Sequence, residues 1–326
     1  MKTKALSILF LVLALFSCNK EIDDQGGRII DLDAKSEKLI EADNEFGLDL
    51  FNKVYKDPKV AENFMISPLS VSLALAMAYN GAATETKTEM EEALRLDGLT
   101  PDEINKTNES LIKALTSADD KVTMEIANSI WYCNGYPIQE SFLNVNKNYY
   151  DAEVKAADFS DPATVTLINN WVSDKTHEKI PEIIKEISAE SVLYLINAIY
   201  FNGTWTKEFN PQSTQELGFT TEDGNYVSAE MMGRKDSLDY FSNETFSAIE
   251  LPYGKGNFNM MVMLPNEGKE VSDIVNQLTP SNWAKWQKAF SFTNSVDIRL
   301  PKFKIEYDIK LNQILQAMGM ELAFTP

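Results

Sequence analysis

Residues 63–81, NFMISPLSVSLALAMAYNG, join a helix-start device to a small, hydroxyl-bearing apolar helix. Ser67 offers an N-cap oxygen, and Pro68 stands where a first-turn residue needs no backbone N–H. Gly81 is placed to close the helix just after its cap. Between them Leu69, Val71, Leu73, Leu75, Met77 and Tyr79 alternate with Ser70, Ser72, Ala74, Ala76 and Ala78, so the helix is apolar or small on nearly every side. Such a helix belongs inside a domain, not on its surface.

Working outward, residues 191–205, SVLYLINAIYFNGTW, form a run of β-formers closed by a glycine turn and read as a strand buried on both faces. Asn197 interrupts that run, and a buried carboxamide is costly unless partners satisfy it. In residues 168–180, INNWVSDKTHEKI, Ile168, Trp171 and Val172 fall at helical spacing ahead of a stop at Pro181. Residues 249–268, IELPYGKGNFNMMVMLPNEG, read as two strands joined by a Gly-Lys-Gly turn. Residues 296–303, VDIRLPKF, then precede a helix over 308–318 with Gly319 as its cap.

In this order the blocks resemble the serpin family. Asn63, Ser67, Pro68 and Ser70 match the Asn-x-x-x-Ser-Pro-x-Ser pattern of the serpins' second helix, which lies beneath the main sheet. Residues 191–205 are similar to the third strand of sheet A, and 168–180 to the helix lying across its front. Residues 249–268 are similar to the hairpin of sheet B, and 296–303 to the sixth strand of sheet A. The resemblance runs from about Ser36 to Pro326. It implies an α+β fold of three sheets, A, B and C, with eight to nine helices.

The resemblance also assigns roles. Ser67 and Ser70 become the partners of Asn197, and with Asn63 and Pro68 they form the network that lets sheet A open. Trp205 becomes a packing residue at the top of sheet A, where a loop enters; its minimum role is a core anchor. In the serpins the segment matched by Ala323-Phe324 is followed by the fifth strand of sheet A, the reactive loop and the last strands of sheets B and C. Residues 1–326 hold no match to these C-terminal strands or reactive-site residues, so the protein is expected not to end at Pro326. The function implied is suicide inhibition of serine or cysteine proteases, by cleavage of the loop and its insertion into sheet A. The alternative is a non-inhibitory serpin acting as a binding or carrier protein.

Composition agrees with one large domain: 326 residues, 44% hydrophobic, with no internal repeat or Pro/Gly/Ser-rich linker. The first residues stand apart. Lys2 and Lys4 precede an apolar run over 5–16, too short for a spanning helix and typical of a secretory signal. Leu15-Phe16-Ser17-Cys18 resembles the lipobox of bacterial lipoproteins, which makes residues 1–18 a lipoprotein signal and Cys18 the lipid-bearing residue. Residues 19–35 then form a flexible acidic tether and 36–326 the folded domain. The expected product is exported and lipid-anchored to a bacterial membrane or cell surface, touching membrane only through its lipid. Cys133 is the one cysteine left, so no internal disulfide forms, and it reads as a buried inert thiol.

Charge and residue counts exclude other classes. The net charge of −19 lacks the basic stripe of a nucleic-acid binder. His177 is the only histidine; it reads as a solvated mid-helix residue, which removes Ser-His-Asp and Cys-His sites. G-x-S-x-G, P-loop and H-E-x-x-H motifs are absent. The pairs Glu91-Glu92 and Asp119-Asp120 read as solvated faces, not glycosidase acids. Trp283 and Trp286 read as one helical face on a core, and Met260, Met261 and Met263 as filling of a strand. The expectation is a monomer that is not an enzyme, takes no cofactor or metal, and has a protease as its partner.

Overall fold

The computed structural model describes residues 34–59, 63–188 and 190–324; Cys18, the apolar run and nearly all of the tether lie outside them. Four helices come first: α1 (Ala34–Lys56), α2 (Pro68–Tyr79), α3 (Thr84–Ala93) and α4 (Pro101–Thr116). A mixed stretch follows, with β1 (Val122–Cys133), α5 (Glu140–Tyr150), β2 (Glu153–Ala157), α6 (Ala163–Lys175) and β3 (Leu193–Gly203). The remainder is β4 (Gln215–Thr220), β5 (Tyr226–Ser242), β6 (Phe246–Tyr253), β7 (Phe258–Pro265), α7 (Val271–Val275), α8 (Pro280–Ala289), β8 (Ser291–Pro301) and α9 (Asn312–Ala317). The fold is α+β, with nine α-helices among the described residues.

Helix α1 starts two residues inside the stretch read as tether and buries Leu39, Ala42, Phe46, Leu50 and Val54, spaced three and four apart. Leu39, Phe46, Leu50 and Val54 pack with Tyr79, Met90, Leu94, Ile104, Ile314 and Leu315 into one helical core. Helix α4 is fixed at its start by a capping box between Thr100 and Glu103. The Thr100 backbone N–H and then Lys35 hold the Glu103 carboxyl down at about 2.

Where the resemblance implies three sheets, backbone hydrogen bonds join the described strands into two. The first has the order β2-β1-β3, parallel between β1 and β2 and antiparallel between β1 and β3. The second has the order β4-β5-β6-β7, with β8 also on β5. Sheets B and C merge because β5 is one long strand: its first part pairs with β4, its last residues with β6, and β8 runs along most of its length.

Three further expectations are corrected. Strand β3 sets Leu193 and Leu195 toward α2 and Ile196 and Ala198 toward α6, but only Ile196 and Ala198 are fully buried, so its two covered faces are less deeply buried than expected. Residues 296–301 belong to β8 and pair with β5, and so do not act as a strand of the first sheet. The helix expected over 308–318 shortens to α9, and 302–311 lie outside the assigned strands and helices.

The first sheet is covered on both faces. Along β1, Ile126 and Ile130 turn toward Leu73, Ala76 and Met77 of α2. The alternate residues Ala127 and Trp131 turn toward Ile168, Trp171 and Val172 of α6, as a period of two requires. Thus α2 lies under the sheet and α6 over it.

Candidate functional site

Helix α2 begins as its sequence dictates. Ser67 is the N-cap, its Oγ accepts the Ser70 N–H at 3.3 Å, and Pro68 opens the first turn. Of the expected pair, Ser70 is the one that bonds the sheet among the described contacts. Ser70 Oγ donates to Asn197 Oδ1 at 2.5 Å. Asn63 is exposed at the entry to the helix and stands outside this contact.

From Asn197 the polar contacts continue inward. Asn197 Nδ2 donates to Asn128 Oδ1 at 2.8 Å, and Asn128 Nδ2 donates to the Tyr150 carbonyl at 2.8 Å. The Tyr150 hydroxyl donates to Asn105 Oδ1 at 2.8 Å and accepts from Asn108 Nδ2 at 3.2 Å. Asn105 and Asn80 exchange amide bonds at 2.9 Å, and Asn80 also donates to Asn146 at 3.3 Å. Burial pushes the Tyr150 phenol up, so it stays a donor at every ordinary pH. One connected string of carboxamides therefore runs from β3 through β1 into α2, α4 and α5. Ser70 and Asn197 are legible in the sequence; Asn80, Asn105, Asn128 and Asn146 are not singled out there.

Beside this string lies Asp43 of α1. Its Oδ2 is buried without a hydrogen-bond partner, and burial raises its carboxyl to about 6 despite the opposing Ser72 hydroxyl. That hydroxyl also lies 3.2 Å from the Leu69 carbonyl, and one proton cannot serve both acceptors.

Trp205 sits where β3 leaves its sheet. It forms an isolated antiparallel bridge with Tyr253 and stacks on that ring at 4.3 Å and 14°. Thr206 N–H donates to the Pro252 carbonyl and Gly254 N–H to the Thr204 carbonyl, both at 2.8 Å. A Cβ on Gly203 would meet the Tyr253 ring at 3.0 Å, so a glycine permits this approach. Trp205 thereby ties the end of the first sheet to the β6–β7 turn.

Over the other face α6 is held at its end. The helix stops at Lys175, and His177 and Glu178 follow with φ of 49° and 62°, so His177 is not a mid-helix residue. Its Nε2 is 2.9 Å from Glu125 Oε2 on β1, and its ring lies 4.2 Å from that of Tyr200, the cross-strand partner of Glu125 on β3. Lys175 pairs with Glu153 of β2 at 2.8 Å, and the Glu153 carboxyl is held at about 2 mainly by that lysine. Asp119 also departs from its reading as a solvated acid: it is buried and accepts the N–H groups of Lys121 and Lys255 at 2.9 and 2.6 Å. Cys133 is half-buried at the end of β1.

The arrangement resembles known proteins closely. Residues 41–326 match the family described as Serpin (serine protease inhibitor). An uncharacterized serpin-like protein of Methanosarcina acetivorans is 33% identical over 291 residues, covering 87% of this chain and 67% of its own. Human Serpin B3 is 30% identical over 303 residues, covering 86% and 77%. The crystal structures of the thermophilic serpin tengpin, in its latent and native states, superpose with TM-scores of 0.81 and 0.82 at 36% identity. They cover 92% of this chain and 79% and 75% of the tengpin chains.

Proposed function

Because this chain belongs to the serpin family, we propose that it is a one-use inhibitor of serine or cysteine proteases, trapping its target by adding the cut loop to its first sheet as a new strand. The fold is of the protease-inhibitor type, a binder and not a catalyst. The observation that carries the reading is Asn197 of β3, wired to Ser70 of α2 beneath the sheet and to Asn128 of β1 beside it. An added strand joins the sheet through backbone hydrogen bonds, and the strands must part to admit it. The carboxamide string beneath the sheet offers alternative partners as the strands shift, which is how a polar network serves as a switch. In this reading Trp205, stacked on Tyr253, packs at the end where a loop enters.

In this reading Asn63, Ser67 and Pro68 set the start of α2, and Ser70 and Asn197 couple it to the sheet. Helix α6, held by His177 and Lys175, yields as the sheet widens. The inserting loop is not among the described residues. Residues 1–18 direct export, Cys18 carries the lipid, and 19–35 tether a monomeric domain to a bacterial membrane surface.

The test is incubation of the natural gene product with trypsin-like, chymotrypsin-like, elastase-like and papain-like proteases. The expected result is a detergent-resistant one-to-one adduct with one protease and consumption of inhibitor in proportion. Cleavage without an adduct would replace inhibition by the carrier or binding role, and sustained turnover of substrate would overturn both.

A further inference from the structure

His177, the only histidine in residues 1–326, stands where α6 gives way to the chain that crosses back to β3, and its side chain reaches two strands of the first sheet at once. Nε2 lies 2.9 Å from Glu125 Oε2 on β1, and the ring centre lies 4.2 Å from that of Tyr200 on β3. Glu125 and Tyr200 are cross-strand partners, so one imidazole joins the helix end to both strands. The backbone is arranged for that reach. His177 and Glu178 take positive φ, uncommon for residues other than glycine, and the N–H groups of 177–180 bond back to residues 173–176.

Both contacts of the ring respond to a proton. An imidazole passes between its cationic and neutral forms in the range of about pH 5 to 8. The cation makes a charge-assisted bond to a carboxylate and is drawn to the face of an aromatic ring within about 6 Å. The neutral ring keeps an ordinary hydrogen bond and packing alone. The other charges at this helix end do not change over the same range. Lys175 is turned to Glu153 of β2 at 2.8 Å, Lys155 of β2 shares that carboxylate at 3.0 Å, and Glu153 is held at about 2 mainly by Lys175. Asp174, Glu178 and Lys179 are exposed on either side of His177 along the chain. The end of α6 thus has two pins, a constant one on β2 and a variable one on β1 and β3.

We propose that, on the reading in which α6 yields as the sheet widens, His177 is a proton-operated latch. With the proton it fastens the end of α6 to Glu125 and Tyr200 and slows the widening of the first sheet; without the proton it lets the helix end go sooner.

The experiment compares the full-length protein with His177→Gln by hydrogen exchange over residues 163–184 at pH 5.5 and pH 8. The ratio of the two proteins' rates at each pH cancels the intrinsic pH dependence of exchange and the contribution of Asp43, which both share. At pH 5.5 the amides of 177–180 should exchange about two- to five-fold more slowly in the wild type, the range of an exposed ion pair, and at pH 8 the two should match. Glu125→Gln should behave as His177→Gln does. A ratio that is the same at both pH values is what a merely structural histidine gives, and it would overturn the latch, as would a Glu125→Gln variant that follows the wild type. Adduct formation with a responsive protease, taken as the same ratio, should be slower for the wild type at pH 5.5 and equal at pH 8; a ratio indifferent to pH would overturn the latch's hold on the sheet. The expected exchange pattern with no adduct from any protease would support the latch and overturn the inhibitory reading.

Discussion

Asn128 and Asn197 face each other across β1 and β3, and one carboxamide donates while the other accepts, at 2.8 Å. Neither can be shortened without leaving buried polar atoms unpaired. Asn197→Ala is therefore expected to cost about 1–3 kcal/mol, because Ser70 and Asn128 each lose a partner. Urea unfolding measures the loss, and native gels should show a smaller monomer fraction. An unchanged midpoint together with an unchanged monomer fraction would count against the network.

Asp43 predicts a pH dependence of definite sign. Its folded carboxyl titrates at about 6 against an ordinary 3.8, so between those values the folded protein keeps a proton that the unfolded chain has lost. Stability then falls as pH rises from about 4 to about 6 and levels off above. Roughly two pH units at about 1.4 kcal/mol each make the effect about 3 kcal/mol. Glu103 and Glu153, held low, act in the opposite sense only as pH drops below about 4.5. Asp43→Asn should flatten the slope between pH 4.5 and 6.5 in urea titrations; parallel curves for both proteins would rule Asp43 out as its source.

Gly81 follows the C-cap of α2 but is not among the residues with positive φ, so its value is space, not backbone freedom. A Cβ there would stand 3.0 Å from two ring carbons of Phe142. Gly81→Ala should destabilise by about 1–3 kcal/mol, and the double change with Phe142→Leu should recover part of it. Additive losses in the double mutant would show that the clash is not the cause.

Trp205 and Tyr253 stack at the joint between the sheets. Trp205→Ala should cost about 2–3 kcal/mol through lost packing and stacking. Trp205→Phe should cost less than half of that, as read from thermal midpoints. Equal losses would assign the effect to something other than ring contact.

Cys18 carries the anchoring prediction. Expressed in a bacterium with a lipoprotein pathway, the protein should incorporate labelled palmitate and sediment with membranes, and Cys18→Ser should do neither. Label in the serine variant would reject the lipobox reading.

Legibility followed locality. Helix α2 was readable because cap, proline and small-residue pattern lie within one segment, and Asn197 because a carboxamide breaks an apolar run. The end of α6 was not: it stops at Lys175, ahead of Pro181, where the chain turns left-handed at the non-glycine residues His177 and Glu178. Asn80, Asn105 and Asn146 look like ordinary polar helix residues until α2, α4 and α5 meet. Residues 296–301 are equally good strand in either sheet, and their partner, not their composition, decided which.

Strand β5 runs 17 residues from the β4 pairing to the β6 pairing, with a register shift between Asp236 and Leu238. At about 3.3 Å per residue it is a beam of roughly 55 Å. A beam shared by both ends of a sheet leaves neither end able to open alone. Amide exchange across β4, β5, β6 and β8 should accordingly proceed as one cooperative unit, and an insult at the hairpin tip should be felt in the core at the far end.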